Sequence, residues 1–523
     1  MDFERFVMKE PGGDKSRREL VRLGLVLLFM VGIVLFLMTR GGAVHFPLVV
    51  AAMIGGYMAL NIGANDVANN VGPAVGSRAL TLGGAILVAG VFEAAGALIA
   101  GGDVVGTIKS GIISPDAAAN KDVFIWLMTA ALLAGALWLN IATASGAPVS
   151  TTHSIVGGVL GAGIAAGGWE IANWDQMGQI AASWVISPVL GGVIAAAFLY
   201  LIKRTITYQQ DMMAAARRWV PLLLALMAWS FSTYLVMKGL RQIWKVDIGT
   251  AMVIGLGVAV LTYLVARMRV AAAARDLSND KQGVNRLFVM PLIFSAALLS
   301  FAHGANDVAN AVGPLAAINE AVLQGAVAAK AAIPLWVLMV GAIGISLGLA
   351  LYGPRLIKTV GTGITELDQM RAFCIAMAAS ITVILASQLG LPVSSTHIAV
   401  GAVFGVGFLR EYIKAKFGRM IDTIVEHHAD HDQEIVEAYL TTFHAADFET
   451  KGRMLAQLKA SKQAVVDSHL TKRERKGLRS IYRKELVKRS ALARIVAAWL
   501  ITVPVSALMA AMIYYMIRGM MLP

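Results

Sequence analysis

The chain has 523 residues, 57% of them hydrophobic and only 15% charged, with a mean hydropathy of +0.69; soluble domains carry about a quarter charged residues, so a soluble chain is excluded and an all-α polytopic membrane protein is indicated. The net charge of +13 sits mostly in loops and one polar insert, where the positive-inside rule accounts for it and a nucleic-acid partner does not. The single cysteine, Cys374, excludes a disulfide scaffold and a cysteine-built metal cage and is read as a packing residue.

Residues 1–46 hold the basic run KSRRELVR (15–22) and then an apolar run over 23–39. They predict a cytoplasmic N-terminus and an extra transmembrane helix, which follows a polar stretch and is long enough to cross rather than to be a cleaved signal. A first repeat is expected over 47–202. Its opening span, 47–77, carries NIGANDVANNVGP (61–73). A span at 80–100, a re-entrant hairpin at 122–166 and a span at 178–202 follow. Residues 203–286 supply connecting spans at 219–237 and 248–267, with basic loops.

The second repeat, 287–409, carries HGANDVANAVGP (303–314) on a span at 287–316, then a span at 331–353 and a hairpin at 371–409. The charged stretch 410–490 predicts a cytoplasmic insert of amphipathic helices, and 491–523 the final transmembrane helix. Placing the basic clusters (Lys203, Arg204, Arg217 and Arg218; Arg267 to Arg286; Arg355 and Lys358; the insert) in the cytoplasm makes the two motif-bearing spans run in opposite directions. The halves are then inverted-topology repeats, at the cost of leaving the positive charges of KGLRQIWK (238–245) outside. Paired repeats with interrupted helices at matching positions point to the binding site of a secondary transporter.

Each hairpin carries a second duplicated signature, GAPVSTTH (146–153) and GLPVSSTH (390–397). Pro148 and Pro392 favour a first helical position. A helix beginning there inside the membrane turns unpaired N–H groups and the positive end of its dipole into the site. The hydroxyls of Ser150, Thr151 and Thr152, and of Ser394, Ser395 and Thr396, add donors. Two such helix starts facing each other suit an oxyanion, although Ser and Thr also serve simply as helix caps.

In the first motif, Asp66, Asn69, Asn70 and Pro73 share one helix face; Asp307, Asn310 and Pro314 repeat most of it, with Asn65 and Asn306 alongside. Carboxylates inside a membrane are expensive and mark ion or substrate paths, yet beside an oxyanion they repel it. Either a bound Na⁺ or a proton resolves the conflict, and both make cation and anion binding mutually dependent, which is symport. Glu93, in GVFEAAG, is a third intramembrane carboxylate whose counterpart region contains none; it holds a further coupling ion or a structural hydrogen bond. His153 and His397 are read as packing or hydrogen-bonding residues.

Other signals weigh less. His427 and His431 in EHHADHD (426–432) stand at i, i+4 but have no third ligand fixed by spacing, so they are read as a solvated helix face. The basic tract 472–489 is read as topological. GGDVVGTIKS (101–110) misses a phosphate-binding P-loop, reads as a loop outside the membrane and argues against ATP-driven transport. A near-duplicate site argues against a Ser–His–Asp hydrolase. A passive channel gives no reason for buried carboxylates, and a sensor that keeps the site without transport is left open by the insert.

The four motifs, in their order, closely resemble the paired signatures of the inorganic phosphate transporter family, PiT, and the resemblance covers nearly the whole membrane part, including ISPVLGG (186–192) and the closing helix. It implies phosphate bound between two repeats by Asp66, Asn69, Ser150, Thr151, Thr152, Asp307, Asn310, Ser394, Ser395 and Thr396. Coupling cations fall to Asn65, Asp66, Glu93, Asn306 and Asp307. The implied function is secondary active import of inorganic phosphate by symport with Na⁺, through alternating access, in the plasma (bacterial inner) membrane. It needs no catalytic residue, resident metal or cofactor. Intact GANDVAN in both halves resembles the Na⁺ branch. An H⁺-coupled phosphate or metal–phosphate symporter and a sulfate permease are the alternatives, and association into a homo-oligomer is left open.

Overall fold

Apolar runs of this length can satisfy their backbone polar groups in a bilayer only as helices or closed barrels. The computed structural model describes residues 12–39, 45–114, 118–145, 149–239, 246–325, 333–363, 367–427, 442 and 489–521. Within them the regular structure is helical; the β-type pairing is one isolated bridge between Ile113 and Ala172. Eleven of the described helical stretches are long and apolar enough to cross a membrane.

The first half contains α1 (Gly12–Thr39), α2 (Phe46–Asn65), α3 (Val67–Gly76), α4 (Leu82–Ala100), α5 (Gly102–Gly106), a π-helical turn (Thr107–Gly111), α6 (Lys121–Ser145), α7 (Thr151–Gly167) and α8 (Trp174–Ile202). Two helices, α9 (Met212–Gly239) and α10 (Ile248–Ala273), pack on each other and connect the halves. The second half contains α11 (Lys281–Leu287), α12 (Val289–Gln324), α13 (Leu335–Gly363), α14 (Gln369–Gln388), α15 (Ser395–His427) and α16 (Arg489–Met521).

Packing repeats between the halves. The motif helix α2 lies on α13, and the motif helix α12 lies on α4; α6 pairs with α7 as α14 pairs with α15. The closing helices are exchanged: α8 packs on α14 and α15, while α16 packs on α6 and α7. Small residues permit this contact, as in other membrane helix pairs. A Cβ at Gly161 would strike the backbone of Ala507, and one at Gly405 the backbone of Gly192. By contrast, α1 touches α2 through Phe29 and Ile33 against Gly56, and most of its other apolar side chains, such as Leu28 and Leu35, are exposed as a lipid-facing helix requires.

Several expected boundaries move. The first motif is not one helix: Asp66 separates α2 from α3, and the Asn69 N–H donates to the Asp66 carbonyl at 3.0 Å. The second motif is uninterrupted within α12. Helix α7 begins at Thr151 with Ser150 as its cap rather than at the proline, because a serine oxygen can accept a first-turn N–H. Pro148 lies outside the described residues, and Pro392 sits in the non-helical stretch before α15. Of the stretch 101–110, expected to be a loop, residues 102–110 are helical. Its Lys109 is buried because Glu320 of α12 meets the charge.

Helix α15 runs on to His427, past the expected start of the insert. Most of that insert, His431 and the tract 472–489 up to Lys488 included, lies outside the described residues.

Candidate substrate and ion site

The starts of α7 and α15 meet in the interior. Thr152 Oγ1 donates to the Val393 carbonyl at 2.9 Å, and the rings of His153 and His397 touch edge to face at 4.4 Å. Ser150 caps α7 by accepting the His153 N–H at 3.1 Å, and Ser394 caps α15 by accepting the His397 N–H at 3.2 Å. Each cap leaves the serine's own hydroxyl hydrogen to donate. The capped turns hold the next hydroxyls against the motif helices.

Those hydroxyls bond within and between the halves. Thr151 Oγ1 donates to Asp66 Oδ2 at 2.7 Å, and Ser395 Oγ to Asp307 Oδ2 at 3.1 Å. Across the halves, Asn69 Nδ2 donates to Thr396 Oγ1 at 2.9 Å, while Asn310 Nδ2 donates to Thr151 Oγ1 and Thr152 Oγ1, each at 3.1 Å. Asp66, Asp307 and all six hydroxyl residues are buried, with at most 2% of each exposed. The ten residues named for an oxyanion therefore converge in one closed place.

Asn65 and Asn306 are held from behind in matching fashion. Asn65 Nδ2 donates to Thr143 Oγ1 of α6 at 2.8 Å, and Asn306 Nδ2 to Ser387 Oγ of α14 at 2.9 Å. The amide N–H₂ groups are thereby engaged, which leaves the carbonyl oxygens for another use. Asn65 Oδ1, Asp66 Oδ1, Asn306 Oδ1 and Asp307 Oδ1 are all buried without a hydrogen-bond partner. Buried acceptors left unmatched are costly unless something positive meets them. Four oxygens of this kind are hard ligands of the type alkali cations take.

Glu93 is engaged on both sides. Its Oε1 accepts from Asn70 Nδ2 at 2.8 Å, and its Oε2 lies 2.7 Å from His303 Nδ1. His303 Nε2 in turn is 3.0 Å from Asp307 Oδ2. Sequence reasoning did not single out His303, although the signal was present in the alignment of the two motifs. His303 occupies the place of Ile62, and Asn70 that of Ala311. Structurally, a Cβ at Gly304 would meet the Glu93 carbonyl just as one at Gly63 would meet that of Ile345. The residues in which the halves differ thus form a polar trio, Asn70–Glu93–His303, opposite the buried apolar trio Ile62, Ala311 and Ile345.

His153 and His397 take the packing role expected of them. Trp184 lies against His153 at 3.8 Å and Trp499 stacks on His397 at 3.6 Å, so four rings line up beneath the helix starts. Trp184 also donates its Nε1 hydrogen to the Pro392 carbonyl at 3.0 Å, fixing the stretch that leads into α15. Cys374 is likewise fully buried in the core.

The family model described as the phosphate transporter family matches residues 62–510, which include all four motifs apart from Asn61, the whole of α8 and α16 as far as Ala510. The chain belongs to the phosphate transporter family. It is a multi-pass membrane transporter of phosphate and not an enzyme. Among its relatives is a Helicobacter pylori protein provisionally named a phosphate permease, 52% identical over 515 residues, covering 97% of this chain and 96% of that protein. A similarly named protein of Pyrococcus horikoshii is 40% identical over 370 residues, covering 70% of this chain and 89% of its own. A solved structure described as the sodium-dependent phosphate transporter superposes with a TM-score of 0.74 at 32% identity, covering 91% of this chain and 100% of that one. Within this phosphate transporter the duplicated hydroxyl–carboxylate contacts lie where the motifs that define the resemblance cross.

Proposed function

We propose that this transporter imports inorganic phosphate by symport with Na⁺ across the plasma membrane, by alternating access around the buried site, with its N-terminus in the cytoplasm. The observation that carries the reading is the pairing of each unmatched carboxylate with a helix-start hydroxyl, Thr151 on Asp66 and Ser395 on Asp307. Phosphate needs donors: the hydroxyls of Ser150, Thr151, Thr152, Ser394, Ser395 and Thr396 and the amides of Asn69 and Asn310 supply them, aided by the dipoles of α7 and α15. Na⁺ needs hard oxygens: Asn65 with Asp66, and Asn306 with Asp307, supply them. Glu93 serves the cation site through His303, since both of its oxygens are already engaged.

Coupling follows from charge. Two carboxylates and an oxyanion brought together in a water-excluded interior repel strongly. A cation on each carboxylate removes that repulsion and releases the hydroxyl to turn toward the anion, so each ligand raises the affinity of the other. We read residues 47–202 and 287–409 as inverted repeats, with the hairpins 122–166 and 371–409 rocking about the shared site. The helices of the segments 1–46, 203–286 and 491–523 frame those repeats. The exchanged closing helices α8 and α16 support this arrangement, because each ties one half to the hairpin of the other.

The test is uptake of radiolabelled phosphate into liposomes holding the purified full chain, under an imposed Na⁺ gradient and, separately, a pH gradient, with sulfate as competitor. Na⁺-driven uptake that sulfate does not suppress is expected. Uptake driven only by the pH gradient would contradict Na⁺ coupling, and transport of sulfate instead of phosphate would contradict the substrate.

A further inference from the structure

Asp66, His303 and Asp307 each present one ligand atom within 4.8 Å of the others, and all three are buried. His303 and Asp307 are one turn apart on α12, so a single helix face delivers both. Although His303 Nε2 is 3.0 Å from Asp307 Oδ2, the contact lacks hydrogen-bond geometry, and Nε2, Asp66 Oδ1 and Asp307 Oδ1 are all without partners. The opposite ring nitrogen is the engaged one: Nδ1 faces Glu93 Oε2 at 2.7 Å, and Asn70 holds Glu93 in place at 2.8 Å.

In the neutral tautomer that gives its Nδ1 hydrogen to Glu93, the lone pair resides on Nε2, on the side of the ring that faces Asp307 and within reach of Asp66. A carboxylate behind an imidazole, aiming its far nitrogen at an open position, is the arrangement that orients metal-ligating histidines. Na⁺ draws little from a nitrogen ligand. Imidazole nitrogen combined with carboxylate oxygen instead favours borderline divalent ions such as Zn²⁺ and Co²⁺. Ligands about 2.1 Å from a tetrahedral ion lie about 3.4 Å apart, so the three side chains need only small rotations to close on one. Nor does the fold require a polar trio here, since Ile62, Ala311 and Ile345 fill the corresponding place in the other half.

We propose that Asp66, His303 and Asp307 form a binding site for a borderline divalent cation, with Glu93 and Asn70 as the residues that position His303. The ion competes with Na⁺ for the carboxylates, a consequence that rests on reading Asp66 and Asp307 as coupling-cation ligands. Because Asp66 lies between α2 and α3 while the other two lie on α12, the bound ion ties the two halves together and opposes their movement.

The probe is Co²⁺, titrated into the purified full chain in Na⁺-free detergent and followed by its visible ligand-field absorption. Saturable binding with tetrahedral-type bands is expected in the wild type, together with a fall in apparent Co²⁺ affinity as Na⁺ is added. His303→Gln should lose the bands. Glu93→Gln, which keeps side-chain volume, should retain them with affinity about 10–100-fold weaker. A His427→Gln/His431→Gln variant should be unchanged. Equal bands in wild type and His303→Gln, their loss with the His427/His431 pair, or no saturable binding would each overturn the site; indifference to Na⁺ would overturn the competition. Na⁺-driven phosphate uptake by the same preparation reports separately on the transport reading, so uptake without Co²⁺ binding sinks only this inference.

Discussion

Thr151 and Asp66 are joined by a hydroxyl-to-carboxylate hydrogen bond of 2.7 Å. Ser395 and Asp307 repeat it at 3.1 Å. In the proposed symport, the hydroxyl that a phosphate oxygen would claim is the one that stabilises the carboxylate, so the two ligands compete for one donor unless a cation takes over the carboxylate. On that proposal, coupling is a property of two short contacts rather than of a distant signal.

Asp66→Asn and Asp307→Asn, made separately, should each abolish Na⁺-driven phosphate uptake in liposomes. The amide keeps the shape and removes the charge that a cation neutralises. Wild-type uptake by both variants would overturn the assignment of the carboxylates.

The helix-start residues divide into two roles that different measurements separate. Ser150→Ala or Ser394→Ala removes a cap and should cost about 1 kcal/mol of stability, read as a lower thermal midpoint. The triple replacement of Ser150, Thr151 and Thr152 by alanine should in addition weaken phosphate binding by calorimetry while the protein remains folded. Full phosphate affinity in the triple variant would contradict the half-helix site.

Lys109 and Glu320 form an ion pair at 3% and 5% side-chain exposure. Removing one member, as in Lys109→Met, should destabilise the protein by about 3–5 kcal/mol because a charge is stranded in the interior. The double variant Lys109→Met/Glu320→Leu should recover most of that loss. Denaturation midpoints of the two single variants and the double variant complete the cycle.

Gly304→Ala would drive a methyl group into the backbone of Glu93. The forced separation of α4 and α12 should cost about 1–3 kcal/mol and reduce uptake by pulling Glu93 away from His303. Gly257→Ala on α10, where an added Cβ meets nothing within 4 Å, should change stability by no more than about 0.5 kcal/mol.

What the sequence makes legible is what is local or duplicated. Hydropathy marks the spans, and the two copies of each motif mark Asp66, Asn69, Thr151, Thr152 and their counterparts as one site. The helix starts are misplaced by three residues because the proline signal and the serine cap compete over the same turn, and geometry decides in favour of the cap. The trio Asn70–Glu93–His303 escapes a duplication-based reading for the opposite reason: it exists only where the copies disagree. Its bonds join residues 23 and 210 positions apart, which no local pattern encodes. Lys109 escapes for a similar reason, since a lysine near Gly and Asp residues suggests a loop until Glu320 is seen beside it.

The most direct measurement of the central claim is the phosphate affinity of the purified protein as a function of Na⁺ concentration, in the wild type and in Asp66→Asn/Asp307→Asn. The account predicts affinity that rises with Na⁺ in the wild type and is independent of Na⁺ in the double variant. Phosphate affinity independent of Na⁺ in the wild type, or an undiminished Na⁺ dependence in the double variant, would contradict it.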